Sequence, residues 1–371
     1  MANEITWNKV KLGDICTIKT GKLNANAAVE GGAYPFFTCS SKEVHQIDNY
    51  AFDGEALLIS GNGDVGFTRY YNGKFNAYQR TYVLMDFKYD AKYIYYYLQQ
   101  FLPDRIKKEL MGGAMPYIRV NVLSNMEIDV TDDNEALKKV TNILSKFDEL
   151  IQINEFKANN LIKAKTQLMN DIFSGGLRSL PNINTEDFVQ SDWVKVKISD
   201  ICDIKAGGDI DKSRVSEVQT DVYKYPVYAN ALTNKGLFGY TDTYKHSGKT
   251  VTVTGRGDIG YAVARECAFY PIVRLLVLTP KYSNLDTKFL EYCINNLEFP
   301  PESTGVPQLT TKKLGIREIS IPPTIQEQKQ IASLLSSYDE LIQLNHDKLS
   351  TVNKMKVQLM NQVFAERERV G

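Results

Sequence analysis

Hydrophobic and polar positions along the chain follow two different periods, and the change from one to the other occurs twice. Near the start, apolar and polar side chains alternate in VKLGDICTI around Gly13-Asp14, which predicts a short strand with a turn. VKISDICDI repeats the pattern from Val196. Further β-prone runs predict strands at EALLIS from Glu55, TYVLM from Thr81, KTVTVT from Lys249 and LLVL from Leu275.

Each set of strands is followed by a stretch with helical periodicity. AKYIYYYLQQFL follows Asp90 and TKFLEYCINNL follows Asp286, and each Asp can accept hydrogen bonds from the free amides of a first helical turn. Sheet and helix are therefore mixed within two globular regions of about 130 residues each. This predicts an α+β (mixed α/β) fold class.

The period then changes to three and four residues over long stretches without Pro or Gly, from Val140 and again from Ile331. These stretches predict helices of roughly 38 residues, about 57 Å long. One small domain cannot cover so long an apolar stripe, so we expect the two helices to pair as a coiled coil. Asn154 and Asn345 occupy equivalent positions on this seam, where they either set the register or reach solvent.

The chain is an internal repeat. FDELIQIN from Phe147 returns as YDELIQLN from Tyr338 at a spacing of 191 residues, and the opening WNKVKLGDIC from Trp7 returns from Trp193 at a spacing of 186. One module therefore occurs twice. The expected boundaries are a first globular domain at 1–132, a first helix at 133–175, a linker at 176–190, a second domain at 191–323 and a second helix at 324–368.

The linker constrains the direction of the helix pair. About 17 residues separate the first helix from Trp193, and they extend at most roughly 60 Å. A parallel pair would need nearly all of that length, whereas an antiparallel pair needs almost none. We therefore expect antiparallel pairing, with the globular domains at opposite ends of a rod and a pseudo-twofold axis across its middle.

Composition narrows the class of protein. Hydrophobic residues make up 43% and charged residues 24%, and no apolar run approaches the roughly 20 residues of a membrane span. Five cysteines without a C-x-x-C spacing indicate reduced thiols in the cytoplasm, with Cys16 and Cys202 packed in matching strands. Three histidines offer little for a metal site.

The charge is balanced, with 44 basic and 44 acidic residues. Residues 1–132 carry 14 basic and 15 acidic residues, and residues 191–323 carry 17 and 15. Neither region is basic enough to hold nucleic acid by bulk charge. Any contact with DNA must therefore come from the local placement of cations.

Both copies contain a G-x-G-x-x-G sequence after a predicted strand, at Gly61–Gly66 and Gly255–Gly260. A dinucleotide-binding loop must open a helix, but β-prone sequence follows in both places. The residue matching Asp86 in the second copy is Pro280, so the ribose-binding acid is missing there. We therefore predict a tight turn between strands that presents Asp64 and Asp258, or their neighbours, at a surface that can face DNA.

Cations near these turns are the candidates for contacts with phosphate or guanine. Arg80 and Arg274 share the spacing of the glycine turns, 194 residues, so a structural role in both copies is an alternative. For any single cation, ordinary surface duty is the other interpretation, and the prediction rests on the cluster. The candidates are Arg69, Arg80, Arg119, Arg256, Arg265, Arg274, Lys312 and Lys313.

Paired carboxylates on the long helices, Asp148-Glu149 and Asp339-Glu340, lie beside the apolar seam. This position is typical of a solvated face or a docking surface and not of acid–base catalysis. With Phe147 and Tyr338 they form the candidate partner-docking set. No catalytic residue and no metal site are predicted.

Taken in order, these features resemble the specificity (S) subunit of a type I restriction-modification system over essentially the whole chain. The carrying motifs are the W-x-K-V-K-[LI]-x-D-I-C start, a Tyr-Pro step, the G-x-G-D-[VI]-G turn, the elements Gly113 to Pro116 and Gly305 to Pro307, IPPTIQEQKQIASLL from Ile321 and both [FY]DELIQ segments. The first copy departs from the pattern at its helix entry, where VTDDNEALKKV replaces the Pro-Pro form.

The resemblance implies that each globular domain is a target-recognition domain reading one half of a bipartite, asymmetric double-stranded DNA site. It also implies that the helices space the halves and dock two adenine methyltransferase subunits, with restriction subunits completing the complex. S-adenosylmethionine, ATP and Mg are then expected on those partners and no cofactor in this chain. The copies diverge between Gly21 and Leu57 and between Gly113 and Leu123, so the half-sites should differ.

Two other classes of function stay open at this point. The chain can instead be a stand-alone DNA-binding or scaffold protein that uses its rod to bridge partners. A cofactor-dependent enzyme is the third and weakest interpretation.

Overall fold

A computed structural model describes residues 6–110, 117–174, 193–299 and 307–365. The Gly113 to Pro116 element and Gly305 lie outside these residues. The chain forms two compact units: Met1–Glu155 with Asp347–Gly371, and Phe156–His346. Within the described ranges, no helix combines the length and the hydropathy needed to cross a membrane.

The first unit is built on a six-stranded sheet with the order β2-β7-β5-β6-β3-β4 and a small β1-β8 pair. Its strands are β1 Asn8–Lys11, β2 Thr17–Thr20, β3 Tyr34–Phe37, β4 His45–Ile47, β5 Phe52–Ser60, β6 Thr68–Ala77, β7 Thr81–Met85 and β8 Glu127–Val130. Its helices are α1 Leu12–Ile15, α2 Ala91–Leu110, α3 Val120–Ser124 and the beginning of α4, which spans Asn134–Phe173.

Strand β5 lies at the centre of this unit, antiparallel to both β6 and β7. Because side chains alternate across a sheet, Leu57 and Ile59 face the main core, which also holds Tyr93 of α2. Leu58 faces a smaller cluster on the other side with Phe75. A strand that is buried on both faces explains the uninterrupted apolar run in this segment.

The second unit divides its strands between two four-stranded sheets, β10-β17-β14-β15 and β11-β13-β12-β16, with a small β18-β9 pair. The strands are β9 Val194–Lys197, β10 Cys202–Ala206, β11 Val215–Ser216, β12 Tyr225–Tyr228, β13 Leu237–Thr241, β14 Thr250–Thr254, β15 Ala262–Arg265, β16 Tyr270–Pro271, β17 Leu275–Pro280 and β18 Glu318–Ile321. The helices are α5 Ile198–Ile201, α6 Thr287–Asn295, α7 Thr311–Gly315 and α8 Ile325–Ala365.

The mixed α/β fold class is confirmed in both units. The predicted helix starts are confirmed too, because Asp90 Oδ1 accepts from Tyr93 N and Asp286 Oδ1 accepts from Phe289 N, both at 2.8 Å. One local prediction was incomplete: the turn at Gly13-Asp14 is the one-turn helix α1, and α5 repeats it. The short helix turns Leu12 and Ile15 together into the core, which a continuous strand would not do.

The long helices α4 and α8 contain 40 and 41 residues, and each begins in one unit and ends in the other. In the first unit, Leu144 of α4 and Phe364 of α8 share one core. In the second unit, Ile172 near the end of α4 shares a core with Ile331 near the start of α8. Each unit thus packs the first half of one helix with the last half of the other, as antiparallel pairing requires.

The seam asparagines and the predicted buried cysteines have defined environments. Asn345 is 7% exposed, and Asn154 is half-buried with its amide donating to Leu150 O at 2.6 Å, so neither is fully solvated.

Cys16 and Cys202 are free and buried, as predicted. Burial raises the pKa of each thiol to about 12, which makes both packing groups and not nucleophiles at neutral pH.

Candidate nucleic-acid interface

The two glycine sequences form the same turn between neighbouring strands, as predicted. Gly66 N donates to Ser60 O at 2.8 Å, and Gly260 N donates to Thr254 O at 2.9 Å. Four glycines adopt left-handed backbone angles that side-chain-bearing residues rarely take: Gly63, Gly66, Gly257 and Gly260. Asp64 and Asp258 are exposed beside these glycines.

In the first unit, three other segments are hydrogen-bonded to this turn. Gly61 N donates to Arg80 O at 2.9 Å, and Ile118 N donates to Gly61 O at 2.8 Å. The third segment, the loop after β3, is held because Asp64 accepts from Ser41 N at 2.6 Å, and these hydrogen bonds hold the pKa of the Asp64 carboxyl below its usual range. Arg80 and Arg119, which follows Ile118, therefore lie next to the turn, and both are exposed.

The second unit repeats this assembly with different side chains. Leu309 N donates to Gly255 O at 2.8 Å, which places the following helix α7 beside the turn. A Cβ atom at Gly255 would lie 2.5 Å from Arg274 O, so the segment that contains Arg274 is in close contact. Arg274 has a φ of 71°, a costly conformation for a non-glycine residue that is often found at functional sites. Arg256, in the turn, and both Lys312 and Lys313, in α7, are exposed.

At least three of the eight candidate cations make internal side-chain contacts: Arg69, Arg265 and Lys313, whose Nζ donates to Gln308 O at 3.4 Å. Arg69 is half-buried: its Nη2 donates to Ser41 O at 3.2 Å, its guanidinium lies 5.4 Å from the Phe37 ring, and burial lowers its pKa. Arg265 is only 7% exposed, donates to Thr252 Oγ1 and to Lys235 O, and lies 3.6 Å from the Tyr228 ring centroid. Its guanidinium is enclosed by protein, so the placement of Arg265 at a DNA-facing surface is corrected.

The sequence did not predict the residues whose side chains form hydrogen bonds to the backbone in or next to the turns. Asn230 Oδ1 accepts from Gly255 N at 2.5 Å and from Arg256 N at 3.1 Å, while Asn230 Nδ2 donates to Arg256 O at 2.6 Å. The matched residue in the first copy is Cys39, whose thiol donates to Arg80 O at 3.3 Å. Their common position, five residues after the first residue of each Tyr-Pro step, is the signal that could have identified them.

The carboxylates of the DELIQ segments are tied into networks within each unit. The Tyr96 hydroxyl and Lys356 Nζ each donate to Asp148 at 2.6 Å. In the second unit, the Tyr292 hydroxyl donates to Asp339 at 2.6 Å and Lys165 Nζ at 2.5 Å. Burial, and then the neighbouring carboxylate, raise the pKa of both Tyr96 and Tyr292. The exposed carboxylates of the docking set are Glu149 and Glu340, whereas Phe147 and Tyr338 are half-buried.

Asp148→Asn is expected to destabilise the first unit by about 1–3 kcal/mol, because it weakens two charge-assisted hydrogen bonds in a partly buried network. The matched control is Glu149→Gln, which changes the exposed neighbour and should cost less than about 0.5 kcal/mol. Urea unfolding of both variants measures the difference. Equal midpoints would show that the network contributes nothing to stability.

The fold and the site together define a duplicated α/β protein with one glycine-turn surface in each unit and two long helices shared between the units. A family model described as "Type I restriction modification DNA specificity domain" matches residues 4–164 and 190–354. The chain therefore belongs to the type I restriction-modification DNA specificity family. The likeness to a type I specificity subunit expected from the motifs is confirmed.

Individual relatives agree with this assignment. A putative type I specificity subunit of Mycoplasma pneumoniae is 28% identical over 88% of this chain and 87% of its own length. The EcoDI type I restriction enzyme specificity subunit of Escherichia coli is 38% identical, but the match covers 42% of this chain and only 33% of that protein. The crystal structure of a type I S subunit from M. genitalium has the same fold, with a TM-score of 0.71 at 18% identity over 98% of this chain and 97% of that one.

Proposed function

We propose that this chain is the non-catalytic reading subunit of a type I restriction-modification complex and that each unit reads one half of a bipartite, asymmetric DNA site. The observation that carries the proposal is the repeated glycine turn, which is held by matched backbone hydrogen bonds at Gly61 and Gly255 and at Gly66 and Gly260 but is surrounded by different side chains. A shared scaffold with different surface groups is what two readers of different sequences require.

The local placement of cations supports this proposal. Arg80 and Arg119 flank the first turn, and Arg256, Lys312 and Lys313 lie in or beside the second. Lysine and arginine contacts to phosphates position a protein on the duplex, and arginine also reads guanine in the major groove. A chain with zero net charge can bind in this way because these five exposed cations lie in or beside the two turns, where the contact with DNA is proposed.

The long helices are the proposed docking elements for two adenine methyltransferase subunits and, through them, for restriction subunits. Glu149 and Glu340 remain exposed at matched places for such contacts. Asp148 and Asp339 act through the networks that hold the helices to their units. S-adenosylmethionine, ATP and Mg belong to the partners in this proposal, and the recognition domains correspond to residues 1–132 and 191–323.

Single-molecule sequencing of adenine methylation, in cells with and without this chain, tests the proposal. We expect a methylated motif with two different specified halves, separated by unspecified bases, that disappears when the chain is deleted. A palindromic motif or unchanged methylation would contradict it. Purification of the chain without any methyltransferase would favour a stand-alone DNA-binding or scaffold protein instead.

A further inference from the structure

Asn62 and Arg256 are the matched residues between the first two glycines of each turn, separated by the same 194 residues as the glycines. Arg256 is exposed and Asn62 is half-buried. Neither side chain makes a hydrogen bond or ion pair with another residue in the described part of the chain, and the contacts of Arg256 with Asn230 are made by its backbone. Two side chains with full hydrogen-bonding capacity are thus presented on the turns.

The backbone that carries these side chains is held firmly in both units. Gly61 and Gly255, the residues before Asn62 and Arg256, each accept a matched hydrogen bond at 2.8 Å. Ile118 N donates to Gly61 O, and Leu309 N donates to Gly255 O. The strand ends beside the turns are closed by Ser60 N donating to Phe67 O and Thr254 N donating to Tyr261 O, both at 2.9 Å. These matched hydrogen bonds place Asn62 and Arg256 at equivalent positions of the two turns, although the loops that support the turns differ.

This difference has a chemical meaning for a protein that reads DNA. Arginine donates two hydrogen bonds to O6 and N7 of guanine, whereas the asparagine amide both donates to and accepts from the N6 and N7 edge of adenine. We propose that Asn62 specifies an A·T pair in one half-site and Arg256 specifies a G·C pair in the other. The inference rests on the proposed function and adds the residues and the base pairs they choose.

Asn230 is the positioning residue for Arg256. Its amide makes three hydrogen bonds to the backbone of Gly255 and Arg256, which fixes the point from which the guanidinium extends. Bidentate recognition depends on such fixed geometry, because both hydrogen bonds must form together. The corresponding support in the first unit is the loop at Cys39, whose carbonyl accepts from Asp64 N at 3.2 Å.

The experiment replaces each of the two residues, Asn62 and Arg256, by the residue type of the other in the full-length chain. Wild type, Asn62→Arg and Arg256→Asn are each used to select from a library of randomised duplex DNA, and bound sequences are read. We expect Asn62→Arg to convert one A·T position to G·C in one half-site only, and Arg256→Asn to convert one G·C position to A·T in the other. The preference at the converted position should change by roughly 10- to 100-fold, since a good bidentate pair discriminates by about that factor.

The outcomes separate this inference from the proposed function. If wild type selects a bipartite sequence and both folded variants select the same bases, the assignment of Asn62 and Arg256 is overturned. If wild type selects no sequence, the proposed function fails and the inference with it. Thermal unfolding of each variant shows whether it is folded.

A second variant tests the positioning role separately. Asn230→Ala should reduce discrimination at the Arg256 position without choosing a new base, while Asn230→Asp, which keeps the acceptor for both amides, should retain more of it. Equal discrimination by wild type and Asn230→Ala would overturn the role of Asn230.

Discussion

Phe364→Ala is expected to lower the free energy of unfolding of the first unit by about 3–5 kcal/mol. Phe364 is 1% exposed near the end of α8, with its ring centroid 5.9 Å from Tyr93, 5.5 Å from Tyr97 and 5.9 Å from Phe101. Removing the ring leaves a cavity that three aromatic side chains cannot collapse to fill. The end of α8 is therefore part of the core of the first unit.

Hydrogen exchange of the backbone amides of α2 measures the loss of stability in the first unit. The measurement does not require the two units to unfold together. The control is Phe156→Ala, which removes a phenyl ring that is 67% exposed on α4 and should change stability by less than about 0.5 kcal/mol. Unchanged protection of α2 in Phe364→Ala would show that the end of α8 does not contribute to this core.

Gly255→Ala is expected to disrupt the second glycine turn, at a cost of about 3 kcal/mol, and to remove sequence selection at the second half-site. A Cβ atom there would lie 2.5 Å from Arg274 O and 3.0 Å from Leu309 O, both backbone atoms that cannot move without displacing their own segments. Since these segments carry Arg274 and lead to Lys312 and Lys313, the whole cationic surface would be displaced together.

Gly257→Ala provides the matched control two residues away. A Cβ atom at Gly257 has no atom within 4 Å, and the only penalty is the left-handed backbone, with φ of 71°. We expect a cost of about 1 kcal/mol and a retained preference at the first half-site in both variants. Thermal unfolding combined with selection from randomised duplex DNA compares them. Equal losses in Gly255→Ala and Gly257→Ala would mean that close packing at Gly255 does not organise the surface.

Interactions between residues close in sequence made the helix caps, the glycine turns and the long helices predictable from the sequence. The Asp90 and Asp286 caps were predictable because the side-chain carboxylate of an aspartate before an apolar helical stretch accepts hydrogen bonds from free amides of the first turn, which are close in sequence. The glycine turns were predictable as turns because β-prone sequence follows them where a dinucleotide fold needs a helix. The long helices followed from an apolar period without Pro or Gly.

The candidate site was predictable only in part, since contacts between distant segments depend on how the chain folds back. In the sequence, Arg256 and Arg265 are both arginines near the second glycine turn. In the structure, Arg265 lies at the end of β15 with its guanidinium buried against the Tyr228 ring, whereas Arg256 lies in the turn and is exposed. Asn230 has no motif of its own, and its role exists only because the loop after β12 meets the turn after β14.

By itself, the sequence determined that one module occurs twice, that each copy mixes sheet and helix, and that two long helices follow, because repetition and periodicity are properties of neighbouring residues. Only the tertiary structure decided which cations stay exposed, which carboxylates are bound to a tyrosine and a lysine, and that each unit completes its core with the end of the helix that begins in the other. Those outcomes depend on burial and hydrogen bonding between residues up to hundreds of positions apart, which no local pattern encodes.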